Sequence, residues 1–172
     1  MTSAARLHAF EGLLLALWLG AAAFFSLVVA RAAFDVLPTR TLAGALVGRA
    51  LPVLFLTGLL VGAALVVLEW PAMRQHWGRF AAGAVMIVAC GAAQFVIAPR
   101  IERLRAAIGA PLESLAADDA RRAAFGRLHA VSVGWLGIAI IAALVALVLI
   151  WRALDVPRAP SGSPTSTVQT DG

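Results

Sequence analysis

The hydrophobic positions of the chain fall into four long blocks without charged side chains, and charged residues are concentrated in the short stretches between them. A hydrocarbon core of about 30 Å is crossed by roughly 20 helical residues, because each adds about 1.5 Å. Every block is long enough to cross. The four predicted spans are residues 12–30, 50–68, 80–99 and 128–151.

These blocks lack the polar stripe that a helix of a soluble bundle presents to water. Such a stripe repeats with a period of about 3.6 residues. In residues 12–30, only Ser26 and the indole of Trp18 are polar. The pattern predicts an all-α polytopic membrane protein, a four-transmembrane-helix bundle, with one membrane domain over residues 1–156. Residues 157–172 are mostly Pro, Ser, Thr and Gly, which predicts a disordered tail.

Composition supports the same fold class and excludes several functions. Of the 172 residues, 62% are hydrophobic and 13% are charged. Soluble domains carry about 45–50% apolar and about 25% charged residues. The excess excludes a soluble enzyme and a conventional nucleic-acid binder. The net charge of +5 lies in the flanks of the apolar blocks, so the expected partner is the lipid bilayer and no nucleic acid is expected.

The first span has an alternative interpretation as a cleavable signal peptide. Residues Ala30, Arg31 and Ala32 have the small-x-small form of a cleavage site. A signal peptide, however, has an apolar region of about 7–15 residues and a positively charged leader. This apolar block is longer, and Glu11 offsets Arg6 in the leader. We therefore expect a retained span.

Arginine distribution predicts the orientation. The first and third loops carry nine arginines, whereas the two terminal segments and the second loop carry five. Cytoplasmic loops are enriched in basic residues. This bias predicts a multi-pass protein with both termini extracytoplasmic, and we expect it in the bacterial inner (cell) membrane. Trp70, Trp77 and Trp151 lie at span ends on the predicted outer side, where indoles prefer the interface.

Small residues within the spans are candidates for helix packing. Gly58 and Gly62 form a GxxxG pattern in the second span, and Ala16 with Gly20 forms a looser version in the first. Small side chains allow two helix backbones to approach closely in lipid. The pattern is compatible with packing inside one bundle and with a homo-oligomer interface.

Few polar side chains lie inside the spans. Gln94 lies one turn beyond Cys90, and His129 shares a helix face with Ser132 near the start of the fourth span. An ionisable group in a membrane is a functional candidate. Gln94, His129 and Ser132 are therefore the candidate polar positions, with either a structural role or a ligand-binding role.

No catalytic residues, cofactor or metal site are predicted. The sequence contains no nucleophile–base set, phosphate loop or CxxC motif. His8 and His76 belong to the predicted outer side and His129 to the inner end, so the three cannot share one ion across about 30 Å. Met73 and His76 could offer soft-metal ligands on one turn, but their short, arginine-rich loop argues against copper binding.

Several motifs carry a family resemblance. In order they are LWLG (17–20), FDVLP (34–38), AG (43–44), PRI (99–101), LR (104–105) and FGRLHAVS (125–132). Their order and spacing resemble a bacterial domain of unknown function, number 4149, which looks related to eukaryotic transmembrane protein 205. The resemblance extends from about Leu13 to Leu149, and it implies a four-helix membrane protein with no established activity. Arg31 departs from the small residue or proline expected there.

The leading functional hypothesis is a non-enzymatic helical bundle that supports or modulates membrane processes, with a small-molecule ligand that the sequence does not identify. The first alternative is a transport component for a small molecule or metal, using a cleft near Gln94, His129 and Ser132. No charged residue lies strictly inside a span, which weakens ion-driven transport. The second alternative is a haem-binding redox protein.

Overall fold

In the computed structural model, which describes residues 3–154, all of the regular elements are helical. Two π-helical segments, Phe25–Val29 and Ala92–Ile97, continue α1 into α2 and α4 into α5. Short 3-10 turns follow α3 at Trp70–Ala72 and α5 at Leu112–Ser114. The α-helices are α1 (Ser3–Phe24), α2 (Ala30–Val36), α3 (Arg40–Glu69), α4 (Trp77–Gly91), α5 (Ala98–Ile108) and α6 (Ala120–Leu154).

These elements build four continuous rods that are long and apolar enough to cross a membrane: Ala5–Val36, Arg40–Ala72, Trp77–Ile108 and Ala120–Leu154. Each rod has 32 to 35 residues and is therefore about 48–53 Å long. The predicted all-α four-helix membrane bundle is confirmed. Each predicted span lies within one rod, and the rods are longer than the predicted spans because the helices continue past the uncharged blocks. The predicted tail, residues 157–172, lies outside the described residues.

The outer surface of the bundle is apolar. Large side chains such as Leu17 (63% exposed), Val67 (69%) and Ile141 (63%) point away from the core. An apolar patch of more than a few hundred Å² is unusual on a soluble monomer. Lipid is therefore the solvent for this surface, as the uninterrupted apolar blocks predict.

Side-chain and backbone caps set the helix ends near the third loop. Glycine at position 109 adopts φ +62°, and its N–H donates to the carbonyl of Arg105, which ends α5. Asp119 caps α6 by accepting from the backbone N–H of Arg121 at 2.8 Å. Helix α3 begins at Arg40, because the hydroxyl of the N-cap residue Thr39 accepts from the N–H of Leu42.

The bundle has two distinct ends. The terminal end contains the start of α1, the end of α3, the start of α4 and the end of α6; a Cβ added to Gly12 would lie 3.8 Å from Ile150 and from Leu147. The loop end contains α2, the start of α3, α5 and the start of α6. There, Arg105 of α5 contacts Gly44 of α3.

The core lies between α1, α3, α4 and α6 and depends on close helix approach. A Cβ at Gly62 would lie 2.9 Å from the carbonyl oxygen of Gly83, so α3 and α4 meet backbone to backbone. At Gly58, a Cβ would lie 2.7 Å from the Trp18 ring and 2.8 Å from the Cys90 Sγ. The Trp18 indole N–H donates to the Leu54 carbonyl at 3.0 Å, which satisfies its polar atom inside the core.

Gly20 differs from the other two candidate packing glycines. It lies on the exposed face of α1, and a Cβ there would meet no atom within 4 Å. Gly20 therefore makes no close contact with another helix among the described residues, because α1 is rotated so that Leu15, Trp18 and Ala22 face the core. Its packing against a second copy of the chain stays a prediction.

Candidate functional site

A cavity of about 720 Å³ opens at the loop end of the bundle. It lies between α3, α5 and α6, with the loop 109–114 at its rim. Binding sites for small molecules commonly have volumes of about 300–1,000 Å³. This cavity is therefore large enough for an organic ligand.

The three predicted polar positions all line this cavity. Ser132 is buried on α6 (5% exposed), and His129 lies one turn before it. Gln94 reaches the cavity from the π-helical segment Ala92–Ile97. The sequence placed His129 and Ser132 on one face, and the fold adds Gln94 from another rod.

Gln94 brings an unpartnered polar atom to the cavity. Its Oε1 is buried and has no hydrogen-bond partner among the described residues. Gln94 lies in a turn with π-helical hydrogen bonding, in which the Ala98 N–H donates to the Ala93 carbonyl five residues earlier. Pro99 follows this turn and has no N–H to donate to the Phe95 carbonyl. Since π-helical turns are frequent at functional sites, the π-helical geometry and the unpartnered oxygen both indicate Gln94 as a candidate binding residue.

Arg105 is the main cavity residue that sequence reasoning missed. Its Nη2 donates to the Gly44 carbonyl at 3.0 Å, and its guanidinium lies 5.3 Å from the centre of the Phe125 ring. A Cβ on Gly48 would lie 3.0 Å from its Nη1. Gly44 and Gly48, four residues apart on α3, therefore leave the space that the Arg105 guanidinium occupies. The spacing of these glycines is visible in the sequence, but the sequence does not show that α5 packs against them.

Aromatic stacking positions His129. Its ring is parallel to that of Phe125, with an interplanar angle of 2° and centres 6.5 Å apart. The Phe125 ring also contacts the Arg105 guanidinium. Arg105, Phe125 and His129 thus form one connected wall of the cavity.

A clamp between the loop 109–114 and the start of α3 closes one side of the rim. The Glu113 carboxylate accepts from the backbone N–H of Thr41 at 2.7 Å and from the Thr41 hydroxyl. The same hydroxyl accepts from the N–H of Leu112 at 3.3 Å. Hydrogen bonding by the Thr41 side chain is the main cause that lowers the pKa of Glu113 below its ordinary value. The hydrogen bonds of the clamp therefore favour the ionised carboxylate.

The cavity combines an apolar interior with a charged rim. Phe55, Val47 and Leu51 form apolar wall. The charged lining residues are three arginines and two glutamates: Arg40, Arg105, Arg122, Glu102 and Glu113. Three arginines against two glutamates give this lining a net formal charge of +1. Such a lining suits an apolar body with an acidic head.

A second polar cluster lies at the terminal end. Arg79 Nη1 donates to Glu69 Oε1 at 2.8 Å, and His76 Nδ1 lies 2.6 Å from Glu69 Oε2. His8 joins this group, since its ring centre lies 5.8 Å from that of His76. Glu11, which is completely buried, has Glu69 and Arg79 as its electrostatic neighbours.

The sequence treated Glu11, Glu69 and Arg79 only as boundaries of the spans. The fold brings these three charges together in the interior of the terminal end, where each is at most 6% exposed. His129 lies far from them, because Ile150, which is near Gly12, is 21 residues further along α6. This separation is about 30 Å. The predicted separation of His8 and His76 from His129 is confirmed.

A family model for a domain of unknown function (DUF4149) matches residues 13–110. The match covers more than half of the chain, and the chain belongs to this family. It begins where the sequence resemblance begins but ends before the FGRLHAVS motif at 125–132. The likeness to eukaryotic transmembrane protein 205 stays a prediction. No curated protein and no solved structure matches the chain.

Proposed function

We propose that this member of the family is a non-enzymatic membrane bundle that binds an amphiphilic small molecule with an acidic head group in the cavity at the loop end. Binding of such a ligand is the means by which it would support or modulate membrane processes. The proposal also includes the orientation that the arginine bias predicts, in which the termini are outside the bacterial inner membrane and the cavity opens toward the cytoplasm.

The position of Arg105 is the observation that carries the proposal. A guanidinium has five N–H donors, and within residues 3–154 Arg105 forms two hydrogen bonds, one to the Gly44 carbonyl and one to Glu102 at 3.3 Å. The remaining donors are available to a carboxylate or phosphate, for which the planar guanidinium is well suited. The unpartnered Gln94 Oε1 provides an acceptor for a ligand hydroxyl or amide.

Binding accounts for this cavity better than passage across the membrane. Along α3, the cavity extends only to Phe55, and the next turns are covered by Trp18 and Met86. These three side chains are at most 3% exposed. In the described part of the chain, the core therefore closes the route from the cavity to the terminal end. The transport and haem alternatives stay predictions without structural support.

Three exposed tryptophans favour the proposed placement in the bilayer. Trp70, Trp77 and Trp151 are 65%, 69% and 71% exposed, and all lie at the terminal end. Indoles concentrate at the interface between membrane and water. They therefore support a membrane boundary at that end, whereas the arginines favour the cytoplasm at the loop end.

Binding of oleate and oleyl alcohol to the detergent-purified protein tests the proposal, because the two probes share their apolar chain and differ in the charge of the head. We expect oleate to bind more tightly by roughly ten- to hundredfold, since a hydrogen bond to a charged group contributes about 1.5–3 kcal/mol. Replacement Arg105→Gln should abolish this preference. Arg103→Gln is the matched control, because Arg103 is exposed on the same helix and does not line the cavity.

Isothermal titration calorimetry of the wild type and both variants gives the measurement. Equal affinity for oleate and oleyl alcohol in the wild type would contradict the proposal. So would an Arg103→Gln variant that loses the preference as completely as Arg105→Gln, since that result would assign the effect to nonspecific surface charge.

A further inference from the structure

The polar cluster at the terminal end has the geometry of a metal site. One ligand atom from each of His8, Glu69 and His76 lies within 4.8 Å of the others. Around a tetrahedral Zn²⁺ with bonds of about 2.0–2.2 Å, ligand atoms are separated by about 3.3–3.6 Å. To share one ion, a pair at the 4.8 Å limit would close by about 1 Å or slightly more, whereas His76 Nδ1 and Glu69 Oε2, now 2.6 Å apart, would exchange their hydrogen bond for metal contacts and move apart by somewhat less than about 1 Å.

The three candidate ligands come from α1 and from the short connection between α3 and α4. His8 lies on α1, Glu69 is the last residue of α3, and His76 directly precedes α4. The turn between Glu69 and His76 is held by hydrogen bonds from the N–H groups of Gln75 and His76 to the Ala72 carbonyl, each 2.9 Å long. Two of the three ligands thus come from one short, ordered connection.

Glu11 provides an independent reason to expect a cation. Its side chain is 0% exposed, and neither of its carboxylate oxygens has a hydrogen-bond partner among the described residues. It lies three residues after His8 on α1 and therefore on the same helix face. Its electrostatic neighbours are Glu69 and Arg79. Arg79 and His76 both contact Glu69, so an ionised Glu11 has no cation of its own in hydrogen-bond contact, and an uncompensated buried charge is costly.

Arg79 would orient the ligating carboxylate. Its Nη1 donates to Glu69 Oε1 at 2.8 Å, which leaves Oε2 directed toward His76. Metal-binding carboxylates are commonly held in this way by an outer hydrogen-bond donor. The His76 side chain is 29% exposed, so an ion can reach the cluster from the aqueous side of the terminal end.

We propose that His8, Glu69 and His76 form a binding site for a divalent transition-metal ion of the Zn²⁺ class, with Glu11 as the fourth ligand or the charge partner. Two imidazoles with carboxylate oxygen favour Zn²⁺ over Mg²⁺ and Ca²⁺, which prefer all-oxygen ligand sets. The site is distinct from the cavity at the loop end. A bound ion would join the start of α1 to the α3–α4 connection.

Metal titration of the purified full-length protein tests this site directly. After removal of metal with a chelator, Zn²⁺ is added in competition with a fluorescent zinc chelator, and bound metal is counted by mass spectrometry. We expect one Zn²⁺ per chain and at least a tenfold loss of affinity in His8→Ala and in His76→Ala. His129→Ala is the matched control because His129 lies at the opposite end of the bundle, and it should bind Zn²⁺ like the wild type.

Cobalt spectroscopy distinguishes the proposed ligand set from adventitious binding. Co²⁺ in a tetrahedral site of mixed nitrogen and oxygen ligands gives visible d–d absorption, which should decrease in Glu11→Gln if Glu11 is a ligand and should disappear in His8→Ala. Comparison is made only between variants that elute as a single species from size-exclusion chromatography. Absence of stoichiometric Zn²⁺ in the wild type, or an equal loss in His129→Ala and His8→Ala, would overturn the proposal.

Discussion

At the scale of single residues, glycines determine where two helices can approach closely and where a large side chain finds space. Gly62 allows α3 to approach the Gly83 carbonyl of α4, whereas Gly48 gives space to the guanidinium of Arg105. Both effects come from the missing Cβ, but the neighbours differ. A flexible arginine end can move aside, and a helix backbone cannot.

Replacement Gly62→Ala should destabilise the bundle by about 1–3 kcal/mol, because the new Cβ would lie 2.9 Å from a backbone oxygen. Gly20→Ala is the control, since its Cβ would meet no atom within 4 Å, and it should leave stability unchanged or raise it by up to about 1 kcal/mol, because alanine is the better helix former. Equilibrium unfolding in mixed micelles with increasing sodium dodecyl sulfate measures both. Equal stability of the two variants would refute the close approach of α3 and α4.

The residue scale also shows what the sequence could and could not predict. The GxxxG pattern identified Gly58 and Gly62 as small positions, and both lie at tight contacts. The looser pattern of Ala16 and Gly20 has the same spacing, but these residues lie on the face of α1 that is turned away from the core. Spacing shows which residues share a face, but it does not show which face turns inward. Arg105 was missed for the same reason.

At the scale of elements, breaks in regular α-helix coincide with the polar features of the loop end. The π-helical segment Ala92–Ile97 presents Gln94 to the cavity, and the turn at Gly109 returns the chain so that Glu113 reaches Thr41. Gly109 and Pro111 are sequence signals for the break after α5. The π-helical segment has no such signal, because residues 80–99 are almost entirely apolar and present no polar stripe that an extra residue in one turn would shift.

The clamp between Glu113 and Thr41 should depend on pH. The folded-state pKa of Glu113 is lower than its ordinary value of 4.5, so its stabilising contribution is complete above pH 4.5. This contribution is lost as the pH falls through the lowered pKa. The thermal midpoint of the wild type should therefore exceed that of Glu113→Gln at neutral pH, and the difference should decrease toward zero in acid.

Asp118→Asn provides the matched control in the same loop, since Asp118 forms no side-chain hydrogen bond among the described residues. Its difference from the wild type should not follow the pH profile of Glu113→Gln. A Glu113→Gln difference that grows as the pH falls would have the wrong sign and would contradict the clamp.

At the scale of the whole molecule, the apolar rods separate two polar regions by the thickness of a bilayer. The sequence established the four rods, since hydrocarbon thickness imposes a minimum length on each apolar block. It did not establish the terminal-end cluster. Glu11, Glu69 and Arg79 lie at three different span boundaries, and only the antiparallel packing of the rods brings them together.

Labelling of single cysteines in intact cells tests the central claim most directly, which is that the terminal and loop ends lie on opposite sides of a membrane. In a Cys90→Ala background, Met73→Cys marks the terminal end and Ala110→Cys marks the loop end; both positions are exposed. A membrane-impermeant maleimide should label position 73 in intact cells and position 110 only after permeabilisation. Labelling of both positions in intact cells, with the membrane demonstrably sealed, would contradict the account.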